Sequence, residues 1–258
     1  MLVLTGYVVY QHFMAPTRIL IVNALKLQQA NITLNNDSRY IDVECVETDD
    51  MTSLDGYDAV IIFARHIFLS DEQRAEVKRA ADNGVPIFTR TQKANDFVEN
   101  HNLTDEQVDT LRQYFDNENR HNYRNGLRYL RHIASPGRWG DQTYEEPVEI
   151  PTDMYYHREY GQYFKTAEAL TAYLKKKGLY HAGGHRVALI GGLSFPMEGN
   201  REHVDTLITM LTRRGINVFP MVSTGKSLRR MLQDMKPDAV VRMPVGRMGN
   251  DTLAMWLY

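Results

Sequence analysis

The sequence predicts an α/β chain made of two doubly wound, mostly parallel-sheet domains with helices on both faces. Three observations carry that expectation. Short β-branched apolar runs recur along the 258 residues, each of a length suited to a strand buried on both faces. Between them lie helical stripes that open on capping boxes or close on glycine. One stretch, Val187 to Pro220, reads as strand, Gly-rich turn, helix, Gly stop and second strand without a break, which is one complete βαβ unit.

The first fourteen residues, MLVLTGYVVYQHFM, are apolar but too short to span a bilayer, which takes about 20 residues. They also lack the basic start of a signal peptide. Two readings stay open for residues 1–15: the trailing half of a membrane anchor, or a terminal segment packed on the domain. Tyr7, Tyr10 and Phe13 would suit a membrane interface. Residues 16–135 then read as the first α/β domain. Arg18–Asn23 is a strand, followed by a helix through Leu25, Leu27 and Gln28, and Ile41–Val46 is the second strand. Tyr57–Phe63 is the third. Ser70 with Gln73 forms a capping box opening a helix that ends at Gly84, and Val85–Thr89 is the fourth strand. Thr104 with Gln107 repeats the box, with Val108, Leu111, Tyr114 and Phe115 as the buried stripe, and a further helix covers Asn119–Ile133.

Ser135–Tyr156 has no period and holds Pro136, Gly137, Gly140, Pro147 and Pro151, so residues 136–160 are expected to be a linker. The second domain, 161–258, restarts with a helix over Thr166–Lys177. In the βαβ unit, Val187–Ile190 is a strand ended by Gly191-Gly192, and Val204, Leu207, Ile208 and Leu211 form a helical stripe. Arg213, Arg214 and Gly215 make the cationic last turn and left-handed stop, and Ile216–Phe219 is a strand closed by Pro220. A helix over Ser227–Met235 and a strand over Ala239–Met243 follow. The chain breaks off shortly after that strand, at Trp256-Leu257-Tyr258, so the domain is expected to be incomplete.

Composition narrows the function. Hydrophobic content of 43% and charged content of 24% are ordinary for a globular chain. A formal net charge of −2 offers no electrostatic case for nucleic acid. The single Cys45 lies in a strand, reads as an inert core thiol, and excludes a disulfide scaffold. Gly191-Gly192 and Gly199 do not make a dinucleotide fingerprint. Gly225-Lys226-Ser227 has Pro220 where a P-loop needs its first glycine.

Histidine and arginine carry what chemistry there is. His181 and His185 are four apart but separated by two glycines, which argues for a solvated loop over a metal site lacking a third ligand. His157 stands among Tyr155, Tyr156 and Tyr160, aromatic walls that could stack on a flat ligand or simply pack. His203 sits in the first turn of the βαβ helix, where the positive helix end favours an anion or a structural cap. Arg120, Arg124, Arg128 and Arg131 share a helix face that is either solvated or able to meet carboxylates. Arg247 lies in a Gly-rich tail after a strand end, where open α/β sheets place ligands.

Three segments together carry a resemblance. Gly199, His203, Leu207, Ile208, Leu211, Arg214-Gly215, Val218 and Pro220 resemble a segment of the large subunit of the cobalt and magnesium tetrapyrrole chelatases, the CobN and magnesium-chelatase H family. Asn122–Leu130 (NYRNGLRYL) is similar to the same family, and Tyr155-Tyr156-His157 stands where it often has Tyr-His-Pro, with Arg158 here in place of the proline. The resemblance extends from about Ile19 to the C-terminus. It implies an N-terminal fragment of a chelatase large subunit, which binds a tetrapyrrole while ATP is hydrolysed by a separate AAA+ partner beside a second small subunit. It makes His157, His203, Tyr156 and Arg247 the candidates for touching the tetrapyrrole, a corrin precursor receiving cobalt. The haem-uptake-locus branch, HmuS-like proteins that handle haem and remove its iron, is the alternative, and the anchor reading and Arg158 speak for it. It also implies a cytoplasmic chain, or a membrane-associated one if the anchor reading holds. Two readings of other classes remain: a non-catalytic α/β ligand-binding module, and a doubly wound glycosyl-transferring enzyme with a nucleotide between its halves.

Overall fold

Contiguous β-branched segments set the framework of both halves. The computed structural model describes residues 6, 9–64, 67–90, 98–150, 153–159, 162–191, 201–223 and 227–243. Its chain divides into two units, Met1–Glu149 and Ile150–Tyr258.

Unit 1 opens on a π-helical turn, Tyr10–Met14, and β1 (Thr17–Val22), then α1 (Lys26–Asn35), β2 (Ile41–Val46), β3 (Ala59–Phe63), α2 (Asp71–Asp82), β4 (Ile87–Arg90), α3 (Asp105–Asp116) and α4 (Arg120–Ala134). The four strands form one parallel sheet in the order β2-β1-β3-β4. Alternate residues feed the two faces. Ile19, Ile21, Ile61 and Phe88 pack under α1, α3 and α4, whereas Leu20, Val22, Val60 and Ile62 pack with Val77 and Ala80 of α2. Both capping boxes form. The Ser70 and Thr104 hydroxyls each accept from the N–H three residues on, at 3.2 Å, while Gln73 and Gln107 reach back at 3.0 and 2.8 Å.

Unit 2 contains β5 (Met154–Tyr156), β6 (Tyr163–Phe164), α5 (Ala167–Lys176), β7 (Arg186–Gly191), α6 (Glu202–Arg213), β8 (Asn217–Val222), α7 (Leu228–Met235) and β9 (Ala239–Met243). Its sheet runs β6-β5-β8-β7-β9. The β8-β7-β9 core is parallel, and β5 and β6 add an antiparallel margin. Helices α5 and α7 cover one face around Ala188, Ile190 and Phe219, and α6 covers the other around Leu189 and Val218. The chain is thus mixed α/β, with parallel-dominated sheets and helices on both faces.

Three differences from the sequence reading have local causes. Pro220 does not close its strand: β8 continues to Val222, and β5 pairs only with Met221 and Val222, beyond the residue that lacks an N–H. The stretch 136–160, expected as a linker, contains the boundary between the two units, and its described residues are tied down on either side of it. Arg138 pairs with Asp58 through both guanidinium nitrogens at 2.8 Å, Asn122 exchanges two hydrogen bonds with the Val148 backbone, and Met154–Tyr156 is a strand. Its prolines prevent a periodic pattern but not side-chain clamps onto preceding elements. Lastly, Cys45 is only half-buried, and burial pushes its thiol above the ordinary value. Among the described residues, no helix is long and apolar enough to cross a membrane.

Candidate functional site

Strand alternation decides the fate of the tyrosines. Tyr155 turns to the α5/α7 face, where its hydroxyl donates to the Met231 carbonyl at 2.9 Å. Tyr156 turns to the α6 face among Leu189, Val204, Ile208 and Val218 and is fully buried. The pair therefore does not form the aromatic walls of an open slot. The Tyr156 hydroxyl has no hydrogen-bond partner among the described residues, and burial pushes its pKa well up.

His157 follows as the strand ends, 5% exposed. Its Nδ1 accepts from the Glu159 N–H at 3.2 Å, so the neutral ring carries its proton on Nε2. The ring meets Tyr173 edge-on at 5.2 Å. The Tyr173 hydroxyl donates to the Glu159 carboxylate, which also pairs with Lys177 at 3.2 Å. Burial first, then the nearby Arg158, lowers the imidazole from 6.5 to about 4. His157 is accordingly a neutral donor over the physiological range. Below about 6.5 the unfolded chain binds this proton and the folded chain does not, so the His157 contribution is complete above that pH and falls away towards pH 4. Unit 2 should lose up to about 3 kcal/mol across this window. Urea midpoints measured from pH 7 to 4 should show that slope, and His157→Gln should flatten it.

Arg201, a residue that local spacing did not single out, joins the candidates. It precedes α6, is buried, donates to the His157 carbonyl at 2.7 Å and lies 5.6 Å over the Tyr156 ring. Asp205 holds it through bonds of 2.9 and 3.0 Å. The only sequence signal was the Arg–Asp spacing of four; the link back to His157 spans 44 positions. His203 is exposed, two residues beyond Arg201. Glu202 and Asp205 share that first turn, so two carboxylates already answer the positive helix end. Arg247 and Tyr160 lie outside the described residues. At the carboxyl edge of the parallel strands, Asp153 accepts from Ser223 and Ser227 at 2.8 Å each, tying the start of β5 to the end of β8 and the head of α7.

The other candidates resolve into structural roles. His181 and His185 are not completed by a third ligand among the described residues. Asn217 pins that loop through the His181 N–H and the His181 and Gly184 carbonyls, and His185 pairs with Asp238 at 3.6 Å. The α4 arginine stripe is exposed at Arg120 and Arg124 and goes under cover towards its end. Arg124 and Arg128 each bind Asp37 at 3.0 Å, and Arg131 is wholly buried.

The family model CobN/Magnesium Chelatase matches residues 112–254, which include β5, His157, Arg201 and the whole parallel core of unit 2. The chain belongs to the CobN/magnesium chelatase family. Over 105 residues, 41% of its length, this family member is 25% identical to the H subunit of the magnesium chelatase of Chlorobaculum parvum, and it covers 8% of that protein. Its fold is similar to that of the catalytic subunit of cobaltochelatase from Mycobacterium tuberculosis, with a TM-score of 0.60 and 14% identity over 91% of this chain and 19% of the other. The chain thus spans a small fraction of either relative. The likeness to the cobaltochelatase extends across both units and shows the shared fold.

Proposed function

We propose that this chain is part of a CobN-like large chelatase subunit and contributes side-chain contacts to a bound tetrapyrrole, a corrin precursor destined for cobalt insertion in cobalamin biosynthesis. Cobalt enters as substrate. ATP acts through an AAA+ partner and a second small subunit, and the remainder of the large subunit completes the assembly. The observation that carries the site reading is His157. It is a buried, neutral imidazole whose Nε2–H makes no hydrogen bond among the described residues, held by Arg201 on its carbonyl and Glu159 on Nδ1. With Nδ1 occupied, the ring offers a donor and not a lone pair. It suits a rim carboxylate of the macrocycle better than a metal ion. Tyr156 backs the Arg201 guanidinium that holds the His157 carbonyl, and His203 and Arg247 would meet further carboxylates.

The alternative, haem handling of the HmuS-like kind, is supported by Arg158 in place of the family's proline, a second cation adjoining His157 for haem propionates. A non-catalytic ligand-binding module would use the same contact without transferring a metal. Spectrophotometric titration with haem, metal-free protoporphyrin and a cobalt-free corrin acid tests these readings. One ligand should give a saturable shift, and His157→Ala should weaken it about tenfold or more, the worth of a hydrogen bond to a charged group. No shift with any ligand, or equal affinity in His157→Ala, overturns the site.

A further inference from the structure

The first charged residue of this chain is Arg18; Met1–Thr17 contain no Asp, Glu, Lys or Arg. The described end of that run is displayed and not tucked away: Val9, Tyr10 and Met14 are 45%, 47% and 45% exposed. Beside them stands Trp139, 60% exposed, its ring 5.7 Å from that of Phe13 and its backbone N–H donating to the Phe13 carbonyl at 2.7 Å. An indole so exposed is uncommon, because the side chain has more apolar surface to bury than almost any other.

The patch is also held in place. The Trp139 carbonyl accepts from Arg131 at 2.6 Å and that of Gly140 at 2.9 Å, and Gly140 sits so close to the Tyr40 ring that a Cβ would come within 2.3 Å of it. On the same Tyr40 ring lies the exposed guanidinium of Arg39, 4.8 Å from the centroid, with no carboxylate ion pair among the described residues. A rigid array of Val, Tyr, Phe, Met and Trp beside an unpaired cation, continuous with an uncharged N-terminal run, has the composition of a surface at the headgroup layer. We infer that the Tyr10–Met14 turn and Trp139 form a membrane-docking surface that seats unit 1 on an anionic bilayer, with Arg39 facing lipid phosphate. This inference does not rest on the tetrapyrrole reading. It assigns membrane contact to the folded body as well as to the first residues.

The test is flotation of the full chain with phosphatidylcholine vesicles, with and without phosphatidylglycerol. It is combined with Trp139 emission in a Trp256→Phe background, since the chain has two tryptophans. Trp139 emission should shift to the blue on vesicles and be quenched by brominated lipid. Trp139→Ser, and Tyr10→Ser with Met14→Ser, should each lower partitioning about tenfold. Arg39→Gln should lower it roughly fivefold, and only when phosphatidylglycerol is present. Phe68→Ser and Leu34→Ser, at exposed apolar positions elsewhere on unit 1, should leave partitioning unchanged. Unmoved Trp139 emission, or variants that partition like the parent, would overturn the surface even if residues 1–8 anchor the chain. A lipid-free dimer abolished by Trp139→Ser would overturn it in favour of self-association. Retained tetrapyrrole binding in Trp139→Ser would separate this outcome from that of the ligand site.

Discussion

Arg131→Met should destabilise unit 1 by about 4 kcal/mol. The Arg131 guanidinium is fully buried and donates to four oxygens: Thr17 Oγ1 and the Tyr40 carbonyl at 2.7 Å, Trp139 O at 2.6 Å and Gly140 O at 2.9 Å. No carboxylate shares that set. Burial first, and then Arg138, pulls its pKa below the ordinary arginine value. Methionine matches the stem but takes the guanidinium donor from all four oxygens; the Tyr40 carbonyl keeps the Thr17 N–H at 2.8 Å, whereas the Trp139 and Gly140 carbonyls lose the donor that fixes them, and each orphaned group costs about 1–3 kcal/mol. The sum falls short of strict addition because the Ser135–Asp141 turn can lift. Arg131→Lys should recover less than half of the loss, since a compact ammonium has three donors and cannot span the fork. Urea unfolding followed through Trp139, whose carbonyl is one of the four acceptors, reads the effect directly. A loss below about 1 kcal/mol in Arg131→Met would show that the turn is held by something else.

The same residue shows where sequence reasoning stops. Spacings of four, four and three correctly placed Arg120, Arg124, Arg128 and Arg131 on one face of α4. They could not show that the chain after the helix folds back, so that Trp139 and Gly140 cap Arg131 while Asp37 reaches Arg124 and Arg128 across 87 and 91 positions. Periodicity identifies a face but not what covers it. Elements whose signals are local were legible: the Ser70 and Thr104 capping boxes, the buried runs of β1, β3 and β7, and the βαβ order of β7, α6 and β8. Strands β5 and β6 were not, being three and two residues long and existing only through pairing with each other and with β8. Their absence from the reading put Tyr155, Tyr156 and His157 in a linker and made two buried tyrosines resemble walls. His157 was found for its residue type. Its restraint by Arg201 lies in a contact that no window of sequence contains.

Gly191→Ala should cost unit 2 about 3 kcal/mol or more. Gly191 ends β7 with φ +80, a left-handed backbone that costs an L-residue about 1–2 kcal/mol. Its second constraint is steric. A Cβ there would lie 2.2 Å from the Met243 carbonyl oxygen, the backbone of the residue it pairs with on β9. A main-chain oxygen cannot swing aside as a side chain can, so alanine has to push β9 off β7. Gly215→Ala isolates the conformational part, because Gly215 has φ +81 and nothing within 4 Å of the added carbon. It should lose only the conformational cost. In hydrogen exchange, Gly191→Ala should deprotect the amides of β9 while β8 stays paired to β7 through Asn217–Met221. In sequence Arg247 lies four residues beyond the end of β9, and Arg201 ten residues beyond Gly191. If Gly191→Ala weakens tetrapyrrole binding more than Gly215→Ala at matched temperature below unfolding, the two arginines belong to one site. If it exposes β9 without altering affinity, Arg247 is not part of that site and His157 with Arg201 acts without it.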